Sequence, residues 1–393
     1  MKLLINKCEI CDNQKLDEVL NLGDHPMCDD LIKIGSNKTC NQYPIVILFC
    51  KNCNTAYQKF NIEKKILFPR SYHYRARFTS DVVNGMKDLI TSLSKKINLE
   101  KKLFLDIGCN DGSLLNIASK FGAYTFGIEP TNAYKDCSKI HTIYNSYFDK
   151  DSAKLFLKKH GNPDVITFTN VFAHIQDLKA LISNLRMILK KETILVIENH
   201  YLGSIIKNNQ FDTFYHEHPR SYSFKSFEFI SNLIEANIFS VDFPKRYGGN
   251  IRVFMSRDLN LINLKLKKKN EKNFKKSLNE MNEFITIWKK KMLKKINKLY
   301  NKHGKLYCKA FPGRAAILIK LLELDSDIIK CVCEKPNSPK IGHFIPGTRI
   351  PIVSDDELDL NTPVVINFAW HIKKEIKDYL YQIGFKNKVI DIL

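Results

Sequence analysis

Hydrophobic and polar positions form three successive patterns along the chain, and each pattern predicts a different domain. In the middle part, short apolar strand patterns alternate with helical ones, as a parallel sheet with crossover helices requires. A segment of mixed character precedes it, and a third part with a long helix and a further strand-to-turn signal follows. We therefore predict an α/β protein with domains at 1–75, 76–257 and 258–393.

The strand predicted at residues 102–108 enters a turn that contains two glycines, which permit positive φ and let a ligand approach the backbone. A second strand ends at Glu129, 21 residues beyond Gly108, where a carboxylate can accept hydrogen bonds from a ribose diol. The third glycine of the GxGxxG fingerprint of nicotinamide enzymes is absent. DIGCNDGSLL followed by GIEP instead resembles the first two motifs of class I methyltransferases, which implies S-adenosylmethionine as cofactor. The candidate cofactor-binding residues are Asp106, Gly108, Asn110, Gly112, Glu129 and Asn170.

The first part contains two CxxC pairs, Cys8 with Cys11 and Cys50 with Cys53. Each pair can place two thiolates on one metal ion, and two pairs complete the tetrahedral set that structural zinc favours. The 38 residues between the pairs must then fold as a subdomain that returns the second pair to the first. We predict a closed structural zinc site; unligated buried cysteines are the alternative.

The formal net charge of +21 comes in large part from residues 265–305. Apolar residues recur there at helical spacing, as Trp288, Met292 and Ile296 do, so we predict one amphipathic helix with a solvated basic face. Attraction of an anionic partner is the alternative for that face. No apolar run reaches the ~18 residues of a membrane span, and the amino terminus lacks an export signal. We expect a cytoplasmic protein without a membrane span.

Acid, base and phenol groups are concentrated at residues 211–219, in the sequence FDTFYHEHP. Pro219 disfavours helix at the residue before it, which favours a loop. We predict acid–base catalysis there, with a structural hydrogen-bond network or a metal site as alternatives. Upstream, His174 follows the fourth strand of the predicted sheet, where α/β proteins bind ligands, although a packed core histidine is an equal alternative.

These motifs, together with VFAHI, YGGNIRVF, KIGHFIPGTRIPI and NFAWHI, resemble the sugar C-methyltransferase family over nearly the whole length. The resemblance implies an amino-terminal zinc-binding region, a central methyltransferase domain and a carboxy-terminal Rossmann-like domain. It also implies methylation of a carbon beside the ketone of a nucleotide-diphosphate keto-sugar, for a polysaccharide or a glycosylated metabolite. Such a reaction removes a proton, forms an enolate and needs stabilisation of the enolate oxygen.

The resemblance implies roles for individual residues. His218 is the candidate base, with Glu217 orienting it or holding sugar hydroxyls, and Tyr215 and His174 are candidates to donate hydrogen bonds to the enolate oxygen. A family tyrosine that reaches over the substrate matches either Tyr72 or Tyr74.

Two features depart from the family pattern. The turn Pro312-Gly313-Arg314 has less glycine than expected, and Glu334 stands where an aspartate is common. The nucleotide or the sugar can therefore differ. An O- or N-methyltransferase acting on a related sugar is the nearest alternative function. A zinc-containing RNA-binding protein or RNA methyltransferase is a more distant one, and nucleic acid is not the expected partner.

Overall fold

The structure is a computed structural model that describes residues 2–69, 72–261, 266 and 268–393. The amino-terminal part consists mainly of short antiparallel strands. Its elements are β1 (Lys2–Leu4), β2 (Asp17–Pro26), β3 (Ile32–Lys33), β4 (Gln42–Cys50), β5 (Thr55–Gln58), β6 (Phe60–Ile62) and α1 (Lys64–Leu67). Strands β2, β4 and β5 pair antiparallel in sequence order. This hairpin path carries the chain away from the first CxxC pair and back to it, as the spacing predicts.

The middle part is a doubly wound sheet. Its elements are α2 (Ser80–Ser94), β7 (Leu103–Ile107), α3 (Ser113–Ser119), β8 (Tyr124–Ile128), β9 (Thr142–Tyr144), α4 (Lys150–His160), β10 (Val165–Thr169), α5 (Leu178–Ile188), β11 (Ile194–His200), α6 (Leu202–Lys207), β12 (Arg220–Ser221), α7 (Phe224–Leu233), β13 (Asn237–Asp242) and β14 (Asn250–Ser256). Seven of the strands form one sheet in the order β13-β14-β11-β10-β7-β8-β9. The five strands from β11 to β9 are parallel. Strand β14 pairs antiparallel with β11, and the edge strand β13 pairs antiparallel with β14.

The chain leaves β7 for β8 and β9 on one side and later builds β10 and β11 on the other. Open α/β sheets bind ligands at the carboxyl ends of the strands where the order reverses in this way. The topology therefore places a ligand site between the ends of β7 and β10, and it confirms the predicted class I methyltransferase architecture.

The carboxy-terminal part contains a long helix and a second parallel sheet, as predicted. Its elements are α8 (Phe274–His303), β15 (Leu306–Lys309), α9 (Ala315–Leu321), β16 (Ile329–Glu334), β17 (His343–Phe344), β18 (Ile352–Ser354), β19 (Val364–Asn367), α10 (Lys373–Gln382) and β20 (Lys388–Asp391). Five strands form a parallel sheet in the order β18-β16-β15-β19-β20. This arrangement is Rossmann-like.

Two short strand pairs connect the parts. Strand β12, from the middle of the chain, pairs with β5, and β17, near the end, pairs with β3. Pairing across the predicted limits means that the amino-terminal part packs on both others. The boundaries at residues 75 and 257 stay a prediction.

The prediction of one helix over the whole basic segment is wrong at its start. Helix α8 begins at Phe274, and residues 268–273 are not helical. Asn273 adopts a φ of 66°, in the left-handed region that an α-helix does not use. From there the prediction holds, since Trp288, Met292 and Ile296 are buried and the lysines at 290, 291, 294 and 295 are exposed. Positions 265 and 267 lie outside the described residues. Within the described ranges, no helix is long and apolar enough to cross a membrane.

Candidate active site

The four cysteines of the two CxxC pairs come together in one cluster, as predicted. Their sulfur atoms lie within 4.8 Å of one another, with 3.4 Å between Cys8 and Cys53 and 3.6 Å between Cys11 and Cys50. Tetrahedral zinc bound to sulfur at ~2.3 Å separates its ligands by about 3.8 Å, so the cluster fits the ion. The hydroxyl of Tyr57 lies 2.9 Å from the Cys8 sulfur, where it can support a thiolate. Four thiolates leave no coordination position for catalysis, which makes the site structural.

The zinc-binding part holds the loop that carries the predicted catalytic residues. The backbone N–H of Gln58 donates to the Pro219 carbonyl at 2.9 Å, and its side-chain amide donates to the Tyr215 carbonyl at 3.3 Å. Arg220 is fully buried, and its guanidinium donates to the Glu9 carboxylate at 2.8 Å. Residues 215–219 are thus held by the amino-terminal part, in addition to the contact of the Glu217 carbonyl with His174 after β10.

A cavity of about 1050 Å³ lies between the three parts, at the carboxyl ends of β7 and β10. Its lining includes residues 106–110 and 128–131 of the sheet, residues 72–76 after the zinc-binding part, and residues 309–314 of the carboxy-terminal part. A cavity of this volume can accept two ligands side by side.

The turn after β7 shapes the cofactor edge of this cavity. Gly108 has a φ of 71°, and a Cβ atom there would lie 2.6 Å from the side chain of Val171. The buried carboxylate of Glu129 accepts the backbone N–H of Asn110 at 2.9 Å on one oxygen, and the N–H and hydroxyl of Thr131 on the other. A carboxylate oxygen can accept two hydrogen bonds, so the oxygen facing Asn110 retains a position for a ribose hydroxyl. The residues present therefore fit an adenosyl group.

Two further predicted cofactor residues occupy different positions. Asp106 lines the cavity, where burial raises its pKa to about 7, and it accepts the Thr167 hydroxyl at 2.6 Å. Gly112 is not part of the lining: it is the N-cap of α3, with a φ of 75°, and a Cβ atom there would lie 3.1 Å from the Cys137 sulfur. Its requirement for glycine is explained by the start of the helix.

Asn170 lines the cavity at the end of β10, with a φ of 55°. Its backbone N–H donates to the Glu198 carbonyl at 2.7 Å, and its side-chain oxygen accepts the amide of Asn250 at 3.2 Å. The fully buried carboxylate of Glu198 accepts hydrogen bonds from both Arg246 and Arg252, which hold its pKa low despite burial. This ion network, which sequence reasoning missed, fixes the left-handed turn at Asn170.

A turn brings Tyr215 and His218 together in the lining of the same cavity. The backbone N–H of His218 donates to the Tyr215 carbonyl at 2.9 Å, and the ring centroids are 4.2 Å apart. His218 Nδ1 lies 2.9 Å from the Thr213 carbonyl, which can only accept, so Nδ1 carries the hydrogen and Nε2 carries a lone pair. Burial holds the pKa of His218 well below its usual value. The ring is therefore neutral at pH 7.

Glu217 lies in the same turn, and its carboxyl accepts the hydroxyl of Tyr72 at 3.0 Å. Burial, followed by the nearby Asp29 carboxylate, raises the pKa of Glu217 to about 8. Glu217 is thus protonated in a large fraction of molecules near neutral pH. Of the two tyrosines left open by the sequence, Tyr72 contacts Glu217, whereas the hydroxyl of Tyr74 lies 3.0 Å from that of Tyr247.

His174 lies 4.8 Å from His218 between ring centroids, as the prediction of a shared site requires. Its Nδ1 is 2.7 Å from the Glu217 carbonyl, and the Asn170 carbonyl also faces the ring. Burial lowers its pKa to about 4, so its single N–H is taken up by these carbonyls. Tyr215, by contrast, has no hydrogen-bond partner for its hydroxyl among the described residues, which leaves that hydroxyl available to a ligand.

Sequence reasoning missed four residues that line the same cavity, namely His200, Tyr247, Arg314 and His371. His200 could have been found, because it ends β11 at the edge of the sheet that carries Asn170. Arg314 and His371 come from the carboxy-terminal part, and only the packing of that part on the central sheet brings them there.

Three family models match the chain. A zinc binding domain matches residues 8–68, a methyltransferase domain matches 74–235, and a C-methyltransferase C-terminal domain matches 245–387. Together the three models span most of the chain, with the domain composition of a C-methyltransferase. The predicted family resemblance is thereby confirmed, and so is its order of domains.

The C-methyltransferase NovU of Streptomyces niveus is 24% identical over 258 residues, which are 64% of this chain and 60% of that protein. A ubiquinone biosynthesis O-methyltransferase of Saccharophagus degradans is 28% identical over 89 residues, which are 22% of this chain and 38% of that protein. Among solved structures, the magnesium protoporphyrin IX methyltransferase ChlM of Synechocystis PCC 6803 with bound SAH is 15% identical. The match covers 45% of this chain and 84% of that protein, with a TM-score of 0.37.

Proposed function

We propose that this protein catalyses S-adenosylmethionine-dependent methylation of a carbon beside the ketone of a nucleotide-diphosphate keto-sugar, for a polysaccharide or glycosylated metabolite. The observation that carries the proposal is the placement of one neutral imidazole, that of His218, in the same cavity as the Gly108 turn and Glu129. A base close to a methyl-donor site is what methylation at carbon requires.

His218 is the proposed base. Its Nδ1–H is held by the Thr213 carbonyl, which fixes the tautomer and leaves Nε2 able to accept the proton beside the ketone. Burial makes an isolated imidazolium unfavourable. The negative charge of an enolate formed beside the ring offsets this penalty, so the proton moves only as the enolate appears.

Glu217 and Tyr72 are proposed to bind hydroxyl groups of the sugar. A carboxyl group whose pKa is about 8 can donate as well as accept, and the Tyr72 hydroxyl holds one of its oxygens in place. Tyr215 is proposed to donate its unpartnered hydroxyl to the substrate oxygen. Because burial raises the pKa of Tyr215 well above its usual value, the phenol stays protonated and can only stabilise the oxygen as a donor.

The cofactor is proposed to lie along residues 106–110 with its ribose at Glu129. When bound, S-adenosylmethionine supplies an electrophilic methyl group that a carbanion-like carbon can accept. The chain's own part is to hold the adenosyl group at Glu129 and to exclude water from the enolate. The nucleotide of the sugar is proposed to lie toward the carboxy-terminal part, where Lys335 and Lys340 line the cavity and can attract a diphosphate.

The test is incubation of the purified full-length chain with methyl-¹³C-labelled S-adenosylmethionine and a panel of nucleotide-linked 4-keto-6-deoxy sugars. Carbon–proton correlation spectra of the product then show which atom carries the label. We expect a carbon-bound methyl group. A label on oxygen or nitrogen would contradict carbon methylation, and no product from any sugar would contradict the substrate class and direct the search to other acceptors, RNA included.

The role of the base is tested in the same assay with His218→Asn. The expected loss of rate is roughly 10²–10⁴-fold at unchanged cofactor affinity. His303→Asn is the matched control, because His303 is exposed at the end of α8 and lies outside the cavity lining. Near-normal turnover by His218→Asn would remove His218 from the role of base.

A further inference from the structure

The solvent-exposed side of α8 carries a dense band of positive charge. Between Glu283 and Glu323 the chain contains no aspartate or glutamate. The exposed lysines of the helix in this interval are Lys290, Lys291, Lys294, Lys295, Lys298 and Lys302. None of the six forms an ion pair with another described residue, whereas Lys289 beside them is paired with Glu323 at 2.9 Å. The charge of the six ammonium groups is therefore balanced by solvent ions alone.

The helical period places the six lysines on one face, which we call the lysine face. At 3.6 residues per turn and 1.5 Å per residue, they cover an arc of about 140° and a length of about 18 Å. The side away from this arc is buried and includes Trp288, Met292 and Ile296. Because α8 packs on β2, α6 and β15, the lysine face is a shallow ridge on the protein surface.

One apolar side chain lies within the lysine face. Ile287 shares a side of the helix with Lys291, Lys294 and Lys298, and it is 59% exposed. Anionic headgroups of a lipid surface attract lysines, and the boundary between headgroups and acyl chains accepts apolar side chains. The lysine face offers both kinds of contact.

The same geometry disfavours other anionic partners. A helix reads duplex DNA by entering the major groove, and α8 cannot do so because its other side is packed against the protein. Single-stranded nucleic acid is bound by stacking of bases on aromatic rings. Between Ile287 and Lys302 the aromatic residues are Trp288, which is buried, and Tyr300, which lies about 150° around the helix from the lysine face. A second copy of the chain would bring like charges together.

We propose that the lysine face binds a membrane surface that contains anionic phospholipids, with the lysines at the headgroups and Ile287 at their boundary with the acyl chains. Clusters of about four to eight basic residues on an amphipathic helix are typical of such binding. The binding is peripheral, because the apolar side of α8 stays in the protein core. Helix α8 contributes none of the described residues that line the cavity, so this surface is separate from the candidate active site and does not rest on the proposed function.

The first test is co-sedimentation of the full-length protein with vesicles at about 0.15 M salt, where unspecific surface charge is largely screened. The vesicles consist of phosphatidylcholine, with or without phosphatidylglycerol. We expect binding only where phosphatidylglycerol is present. Absence of binding to these anionic vesicles, or equal binding to phosphatidylcholine alone, would overturn the proposal.

A triple variant tests the lysine face itself. Lys290→Gln/Lys294→Gln/Lys298→Gln should lower the affinity for anionic vesicles about a hundredfold, since each basic residue near such a surface contributes roughly fivefold. The matched control, Lys154→Gln/Lys158→Gln/Lys386→Gln, removes the same charge from exposed lysines outside α8 and should have a much smaller effect. Both triple variants should bind S-adenosylhomocysteine as the wild type does, which verifies their folding. Equal losses of vesicle affinity in the two would assign the binding to net charge and overturn the role of the face.

The second test separates a lipid surface from RNA. Ile287→Ala should weaken binding to anionic vesicles roughly tenfold, because it removes apolar carbons that a lipid boundary accepts. Leu155→Ala is the control, since Leu155 is 41% exposed on α4, and it should leave the affinity unchanged. Poly(U) RNA is titrated in the same buffer. Unchanged vesicle binding by Ile287→Ala, or tighter binding of the wild type to poly(U) than to the vesicles, would overturn the lipid assignment.

Discussion

The two Rossmann-like sheets share one feature: an acid at the end of one strand accepts a backbone N–H from the turn after the neighbouring strand. The two turns nevertheless differ in what they do. In the central sheet, β7 leads through a turn into α3, and an acid at the end of β8 accepts a backbone N–H of that turn: Glu129 binds Asn110 at 2.9 Å. In the carboxy-terminal sheet, β15 leads into α9, and Glu334 at the end of β16 accepts the N–H of Phe311 at 2.7 Å. Gly108 has no side chain, so the first turn leaves room for a ligand beside its backbone. The second turn carries the side chain of Arg314 toward Asp212.

The second turn faces the central domain. Its Arg314 reaches 102 positions back in sequence to the buried Asp212, with which it forms a two-pronged ion pair. The comparison teaches that a strand, turn, helix and acid define a fold element, whereas the side chains of the turn decide whether it binds a cofactor or completes a neighbouring site.

The largest expected effect comes from breaking the second turn with Arg314→Met. Asp212 is fully buried, and without its partner it becomes an uncompensated charge, which typically costs about 3–5 kcal/mol. Chemical denaturation should show this loss in the free energy of unfolding. The double variant Asp212→Asn/Arg314→Met should recover most of it. A single variant as stable as the wild type would mean that the second turn does not depend on this pair.

A third acid shows how a carboxyl behaves when it receives no backbone N–H. The pKa of Glu217 is raised from 4.5 to about 8, so its proton stabilises the folded state below about pH 4.5, and this contribution is lost as the pH rises to about 8. The free energy of unfolding of the wild type should fall across this window by a few kcal/mol relative to Glu217→Gln. Parallel pH profiles for the two proteins would contradict the raised pKa.

The two turns should also differ in their need for glycine. Gly108→Ala places a Cβ atom 2.6 Å from Val171 at a φ of 71°, and non-glycine residues in that region cost about 1–3 kcal/mol. Gly313→Ala brings its Cβ 3.1 Å from Cys28 without a positive φ, so we expect a smaller loss. Thermal unfolding and the affinity for S-adenosylhomocysteine measure both. Equal effects at the two positions would contradict a difference between the two turns in their need for glycine.

An effect similar in size to that of Gly108→Ala is expected at the acids themselves. Glu129→Ala removes hydrogen bonds to a charged acceptor, which are typically worth about 1.5–3 kcal/mol, so affinity for S-adenosylhomocysteine should fall roughly ten- to hundredfold. Glu334→Ala is the matched control and should leave that affinity unchanged. Calorimetric titration compares the two. If Glu129→Ala bound the cofactor normally, the ribose assignment would be wrong.

The cofactor edge could be predicted from the sequence because its parts are local. Gly108 and Glu129 flank one helix and one strand, and the strand ends define where they meet. The zinc cluster could be predicted for a similar reason, since each CxxC pair can place two sulfurs on one ion regardless of how the residues between the two pairs fold. The start of α8 was misplaced although its apolar spacing begins at Phe274, because the lysine run before it was included in the helix.

The part of the cavity wall that contains Arg314, His371 and His200 could not be predicted, because these residues meet only when the domains pack. Arg314 lies in a turn whose sequence shows a departure from the family but not the buried Asp212 that it pairs with. His371 occupies a loop after β19, and no spacing in the sequence links it to His200. The support of the catalytic loop by Gln58 was hidden in the same way, since it depends on the pairing of β5 with β12.

The central claim is that His218 removes a proton from the substrate and so forms an enolate, and solvent deuterium exchange tests this claim most directly. The protein, with S-adenosylhomocysteine bound, is incubated in deuterated water with a keto-sugar that it methylates, and NMR follows the hydrogen on the accepting carbon. The account predicts rapid exchange by the wild type and by His303→Asn, with exchange by His218→Asn near the uncatalysed rate. Exchange that is absent in the wild type, or equally fast in His218→Asn, would contradict it.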